Sequence, residues 1–222
     1  RVLRTGMVFV DVGANDGYYT LFAARRVGAA GRVVAAEPSS RERAHLQRNL
    51  GRNGLDNVAV IPAAIGAAPG LADLHLAHGV HAGHNTLGDF AHDDVVRASL
   101  ERVPVETLDA VVARFGLARV DFIKVDVEGA EANVIAGATT VLTAMRPTML
   151  IEINDKALRA QGNCAAGLLS TLRDDLRYDI FVFSPISGLV ERPKDTDPLS
   201  PNIVAIPRER VAEMLGRPEV LP

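Results

Sequence analysis

Apolar residues in this chain come in short unbroken runs set between amphipathic stretches. MVFVDV (7–12), GRVVAAEP (31–38), VAVIPAAI (58–65), RVDFIKVDV (119–127) and PTMLIEI (147–153) are such runs. Continuous runs, rather than alternating ones, are the pattern of strands covered on both faces by helices. The pattern between them predicts a helix over 17–27 closed by Gly28, with Asp16 as its N-cap. Ser39 and Glu42 have capping-box spacing, which predicts a helix from about 40 to 51. Further helices are predicted over 130–145 and 163–175. This order implies an α/β fold, a doubly wound and mostly parallel sheet. Two places break the rhythm. LADLHLA (71–77) and RVPVETL (102–108) read as short extra strands around a Gly/His-rich stretch at 78–93, so 71–107 is an inserted segment, expected on the substrate side. YDIFVF (178–183) and NIVAIP (202–207) flank a Pro/Ser-rich tip and read as an antiparallel hairpin. With no repeat, low-complexity tract or linker, a single domain over 1–222 is expected.

The first crossover, FVDVGANDGYYT (9–20), is built to wrap backbone around a nucleotide. A dinucleotide is one candidate. Its usual fingerprint has a glycine two positions after the first, where the backbone approaches the pyrophosphate. Asn15 stands there, and Asp11 would repel an anionic pyrophosphate. S-adenosylmethionine is the other candidate, because its ammonium and sulfonium suit an acid at a strand end. Glu37 closes the second strand, where a carboxylate accepts ribose hydroxyls. That residue serves either nucleoside.

Together, FVDVGANDGYYT, VVAAEP, VDFIKVDVEGAE and MLIEI resemble the FkbM-type family of S-adenosylmethionine-dependent methyltransferases, over about residues 7–207. The resemblance implies a class I methyltransferase fold, Rossmann-like, whose seven-stranded sheet ends in an antiparallel hairpin. It implies that Asp11, Gly13, Ala14, Asn15, Gly17, Glu37 and Pro38 contact the cofactor and that Ala64 lies near its adenine. It also implies methylation of hydroxyls on sugars or secondary metabolites.

Methyl transfer to an alcohol requires alignment and removal of one proton. KVDVEG supplies Lys124, Asp126 and Glu128 at the end of the fourth strand, on one side of an extended chain. Asp126 is expected to face the methionine part of the cofactor. Glu128 is expected either in the chemistry or as the cap of the helix that begins near Gly129. Glu152 lies inside an apolar run and needs a partner, for which Lys124 on the neighbouring strand is the expectation. His75, His78, His81 and His84 recur at every third residue, but Gly79 and Gly83 oppose a helix, and the spacing is a poor zinc pattern. His84, in GHNTL, is a candidate general base. A divalent cation held by Asp126, Glu128 or Glu152 is a further route to an alkoxide, though nothing singles it out. No metal ligand is assigned.

The net charge of −3 gives no reason to expect nucleic acid or an anionic membrane as a partner. No apolar run is long enough to span a bilayer, and no leader is evident. The one cysteine, Cys164, excludes an internal disulfide framework, fits a cytoplasmic setting, and is expected as a small packing residue. The expected partner is a small hydroxylated acceptor, with a homo-oligomer compatible. Two other functions fit the same layered fold: an NAD(P)-dependent oxidoreductase, opposed by Asn15, Asp11 and the lack of a Tyr-x-x-x-Lys pair, and a nucleoside-binding protein without activity.

Overall fold

A computed structural model describes residues 2–77, 85–88, 97–193 and 201–215. The chain forms β1 (Val8–Val12), α1 (Tyr18–Val27), β2 (Arg32–Ala36), α2 (Ser40–Asn53), β3 (Val58–Ile61), β4 (Ala64–Ile65), β5 (Gly70–Ala77), β6 (Arg97–Glu106) and α3 (Leu108–Arg114). It continues through β7 (Phe122–Val125), α4 (Glu131–Ala136), β8 (Thr148–Glu152), α5 (Asp155–Ala160), α6 (Ala165–Ser170), β9 (Tyr178–Phe183), β10 (Val190–Glu191), β11 (Asn202–Pro207) and α7 (Val211–Leu215). The main sheet runs β10-β9-β11-β8-β7-β1-β2-β3. Pairs among β8, β7, β1, β2 and β3 are parallel, and β11 joins β8 and β9 antiparallel. The mostly parallel sheet ending in an antiparallel hairpin is therefore present. Two-residue β10 on the outer edge makes its described strands eight rather than seven.

The continuous apolar runs work as expected. Val10, Val12, Val34, Ala36, Ile123, Val125, Met149 and Ile151 face one way, into a core with residues of α3, α4, α5 and α6. Phe9, Val33 and Ala35 face the other way, under α1 and α2. The hydroxyl of Ser39 accepts from the Glu42 amide at 3.4 Å, so the capping signal places the start of α2 correctly. Cys164, half-buried, stands at the N-cap of α6, its Sγ accepting from Gly167 N at 3.4 Å.

The long predicted helices are broken. The stretch 130–145 divides into α4 and a π-type segment, Val141–Met145. The break falls at Gly137, where a Cβ would lie 2.0 Å from the Gly66 carbonyl, so the chain is pressed against the loop after β4. The inserted segment forms its own sheet, ordered β4-β6-β5. Its apolar side is Ala64, Leu74, Leu76 and Val103. β6 ends at Glu106, and the strand expected to reach 108 turns there into α3, capped by Thr107 Oγ1. His84 lies outside the described residues.

Candidate active site

The carboxyl ends of β1, β2 and β7 open onto a cavity of about 190 Å³. Gly13, Ala14, Asn15, Glu37, Pro38, Ala64, Lys124, Asp126 and Glu128, all candidates from the sequence, line it. Leu74, Asn85 and Leu87 close it from the insert, and Tyr18 and Tyr19 from the start of α1. The insert was expected on the substrate side as a segment, but neither its individual wall residues nor the aromatic residues were anticipated. Only Tyr18 and Tyr19 carried a signal, as two bulky residues following the glycine turn.

Gly13 sits at φ 77, and a Cβ there would be 1.9 Å from the Asp126 carbonyl oxygen. No other residue lets β1 and β7 close at this point. Asn15 occupies the position of the missing second glycine and is itself left-handed, at φ 51, which asparagine tolerates. Its N–H donates to Glu37 Oε2 at 2.8 Å, and Ser39 N–H donates to Glu37 Oε1 at 2.8 Å. Glu37 is thereby aimed and almost wholly buried. Burial pushes its carboxyl up to about 7, against the pull of those two amides.

Two expected cofactor contacts stand behind the wall instead. Gly17 is the N-cap of α1, and a Cβ on it would meet Leu46 and Leu21, so its small size serves the packing of α1 on α2. Asp16 is therefore not the cap. It lines the cavity, and its carbonyl accepts from Asn49 Nδ2 at 2.9 Å. Asp11 is fully buried and accepts from the Thr20 hydroxyl at 2.6 Å. Burial pushes its carboxyl up, while Lys124 and Thr20 oppose the shift.

The partner of Lys124 also differs from expectation. The β1–β7 register sets Lys124 beside Asp11, and the β7–β8 register sets it beside Leu150, so Glu152 is out of line. Lys124 Nζ lies 3.6 Å from Asp11 and 3.2 Å from Asp126, and donates to the Gly13 carbonyl at 2.6 Å. Burial alone would lower this ammonium, but Asp11 and Asp126 outweigh it and the net direction is upward. Lys124 is therefore a charged tie between the two crossovers.

Glu152 meets Asp126. One carboxylate oxygen from each of Asp126, Glu128 and Glu152 lies within 4.8 Å of the others. Close carboxylates are held by a shared proton or a cation. A proton on Glu152 accounts for its hydrogen bond with Asp126 without a further group. That bond is the largest cause pushing Glu152 up to about 9, followed by burial and the charges of Asp126, Glu128 and Glu131. Glu128 does not cap α4. The N-cap, Ala130, has no side-chain bond, and Glu131 instead holds the loop before the helix, its Oε1 accepting from Val127 N at 3.2 Å and Gly129 N at 3.1 Å. Glu128 is left-handed at φ 53, so the strand alternation stops before it.

The raised carboxyls make stability depend on pH. A folded-state pKa above the unfolded one stabilises at low pH, and the benefit is lost as pH rises through the folded value. Glu37 acts from 4.5 to about 7 and Glu152 from 4.5 to about 9. Urea unfolding between about pH 7.5 and 9 lies above the Glu37 range and within that of Glu152. Wild type should lose stability across that window, and Glu152→Gln should lose less. Parallel curves would remove the shared proton.

Comparison with known proteins agrees with this geometry. Over 213 residues the chain is 30% identical to the AMB antimetabolite synthetase AmbE of Pseudomonas aeruginosa; the match covers 82% of the chain but only 10% of AmbE. The structure is similar to the methyltransferase FkbM of Methylobacillus flagellatus KT, with TM-score 0.53 at 18% identity, covering 90% of this chain and 44% of that one. It is also similar to SMU.1697c of Streptococcus mutans, a methyltransferase-like protein in complex with SAH, with TM-score 0.51 at 10% identity and coverage of 92% and 90%. At these identities the solved structures speak to fold, which is that of class I methyltransferases. The family model described as methyltransferase FkbM domain matches residues 11–179, from the buried acid of β1 to the start of the hairpin, and the chain belongs to that family.

Proposed function

We propose that this methyltransferase moves a methyl group from S-adenosylmethionine to a hydroxyl of a small acceptor. Methyl transfer follows from the family; the hydroxyl and the acceptor class are the proposal. The charge of the cavity is the observation that carries the choice of cofactor over a dinucleotide. Its described lining has four carboxyl residues, Asp16, Glu37, Asp126 and Glu128, against one ammonium, Lys124. The Asn15 amide, which a pyrophosphate would need, is already committed to Glu37. Such a lining repels a diphosphate and attracts a cation.

Gly13, Ala14 and Asn15 are placed to lie against the methionine part and Glu37 to accept the ribose hydroxyls. Ala64 and Pro38 would border the adenine. The cofactor supplies an electrophilic methyl on a cationic sulfur. Asp126, held by Lys124 and Glu152, faces that end of the cavity and orients the charge. Glu128, on the loop after β7, is placed to take the acceptor's proton. The acceptor would enter between Tyr18, which is 78% exposed at the mouth, and the insert residues Asn85 and Leu87. AmbE is named an antimetabolite synthetase, and a secondary metabolite is the acceptor class in keeping with it. No helix among the described residues is long and apolar enough to cross a membrane. We place the chain in the cytoplasm on the strength of its single free cysteine.

Calorimetry distinguishes the readings. S-adenosylmethionine and S-adenosylhomocysteine should bind and NAD should not. NAD binding with no heat from the other two would overturn the assignment. Labelled cofactor incubated with hydroxylated and amine acceptors then tests the hydroxyl.

A further inference from the structure

Glu128 is held in a conformation that its own side chain disfavours. A left-handed non-glycine residue is strained and persists where its surroundings over-determine it. The surroundings here are specific. The Glu128 carbonyl accepts from Thr86 Oγ1 at 2.9 Å and from Gln161 Nε2 at 3.2 Å. Gln161 Nε2 also reaches Thr86 Oγ1 at 3.3 Å, and the same hydroxyl accepts from Gly88 N at 3.1 Å. Thr86 is 2% exposed, and its backbone is clamped to β5 by two hydrogen bonds with His75, 2.8 and 3.1 Å long. On the far side, a Cβ at Gly129 would be 2.4 Å from the Ala157 carbonyl, so α5 presses on the next residue.

These bonds join three separate parts of the chain at one carbonyl: the inserted sheet, the loop after β7, and the end of α5. Two donors on one carbonyl leave its peptide plane no second orientation, and that plane fixes where the Glu128 Cα–Cβ bond points. We propose that Thr86 and Gln161 are positioning residues: by clamping the Glu128 carbonyl they set its carboxylate beside Asp126 and Glu152. The inserted sheet thereby contributes to the acid cluster without placing a carboxylate in it. The inference rests on the reading of Glu128 as part of the methyl-transfer site.

The test needs no acceptor. Carboxyl carbons of the full chain are followed by 13C NMR against pH, and binding of S-adenosylhomocysteine is followed by calorimetry. The groups facing Glu152 are Asp126 and Glu128 on the loop after β7 and Glu131 on α4, all of which raise it. Thr86→Val, which keeps shape and loses the hydroxyl, should let Glu128 swing away and lower the Glu152 midpoint by about one unit. Thr86→Ser should keep it. Glu128→Gln should produce the same fall, and Thr86→Val added to Glu128→Gln should produce no further fall. Gln161→Leu serves as the second probe if Thr86→Val does not fold, with the same expected fall and the same lack of addition. A Glu152 midpoint unchanged by the folded clamp variants overturns the inference, as do shifts that add to that of Glu128→Gln. An ordinary Glu152 midpoint in the wild-type chain also overturns it. Binding of S-adenosylhomocysteine in the wild type reads the broader assignment separately, so the two can fail independently.

Discussion

Asp126→Asn should slow methyl transfer by about a hundredfold, roughly 2.7 kcal/mol at the barrier, with a much smaller effect on folding. Asparagine keeps the shape and the contact with the cavity but removes the charge. In the wild type that charge faces the cavity, lies 3.2 Å from Lys124, and receives a hydrogen bond from Glu152. Lys124 retains Asp11 at 3.6 Å and the Gly13 carbonyl at 2.6 Å, so the tie between β1 and β7 should survive. Glu152 no longer faces the Asp126 charge, and the new amide can donate to its ionised form, so its midpoint should fall toward 4.5. Cofactor affinity should drop by about tenfold at most, because Glu37 and the glycine turn are untouched. Single-turnover rates with labelled cofactor, taken beside thermal unfolding, separate these effects. A wild-type rate in the variant would remove Asp126 from the reaction.

The second large effect is on binding. Glu37→Ala should weaken S-adenosylmethionine by roughly ten- to a hundredfold, since hydrogen bonds to a charged group contribute about 1.5–3 kcal/mol. The rate at saturating cofactor should stay within about threefold of wild type, because the residue lies away from the reacting methyl. Glu37→Gln is the control, since its amide oxygen can still accept from Asn15 or Ser39. A pH signature accompanies the binding effect. The Glu37 carboxyl is pushed up to about 7, and only its ionised form accepts both ribose hydroxyls. Wild-type affinity should therefore rise as pH passes upward through about 7, and the glutamine variant should show no such rise. Equal affinity for wild type and Glu37→Ala would place the ribose elsewhere.

The main strands of the sheet and the first two covering helices were legible in the sequence because they rest on local signals. Runs such as MVFVDV and DFIKV are buried on both faces and need no distant information to be read as strands. The Ser39 and Glu42 pair marks a helix start by its own chemistry. The lining of the cavity was legible for a similar reason: residues that follow a parallel strand sit at its carboxyl end, so Gly13, Glu37 and Asp126 converge once the strands pair.

Partner choice was not legible. Lys124 could have met Glu152, and the sequence alone favours that pairing, because a buried acid on an adjacent strand needs a cation. The register decided otherwise: with Lys124 level with Leu150, Glu152 lies two residues further along the same face, beside Asp126. It aligned Lys124 with Asp11 and left Asp126 to share a proton with Glu152. Asp11 and Gly17 read as cofactor contacts from the motif, but depth within the sheet turned one into an ion-pair partner and the other into a packing glycine. The clamp of Thr86 and Gln161 on Glu128 gives no periodic or motif signal, because 75 residues separate the two donors. Hydrophobic pattern and chain direction were enough to fix the main strands and the end of the sheet that holds the chemistry. Which charges neutralise one another emerged with the packed fold, because that depends on register and burial, which no local run of residues contains.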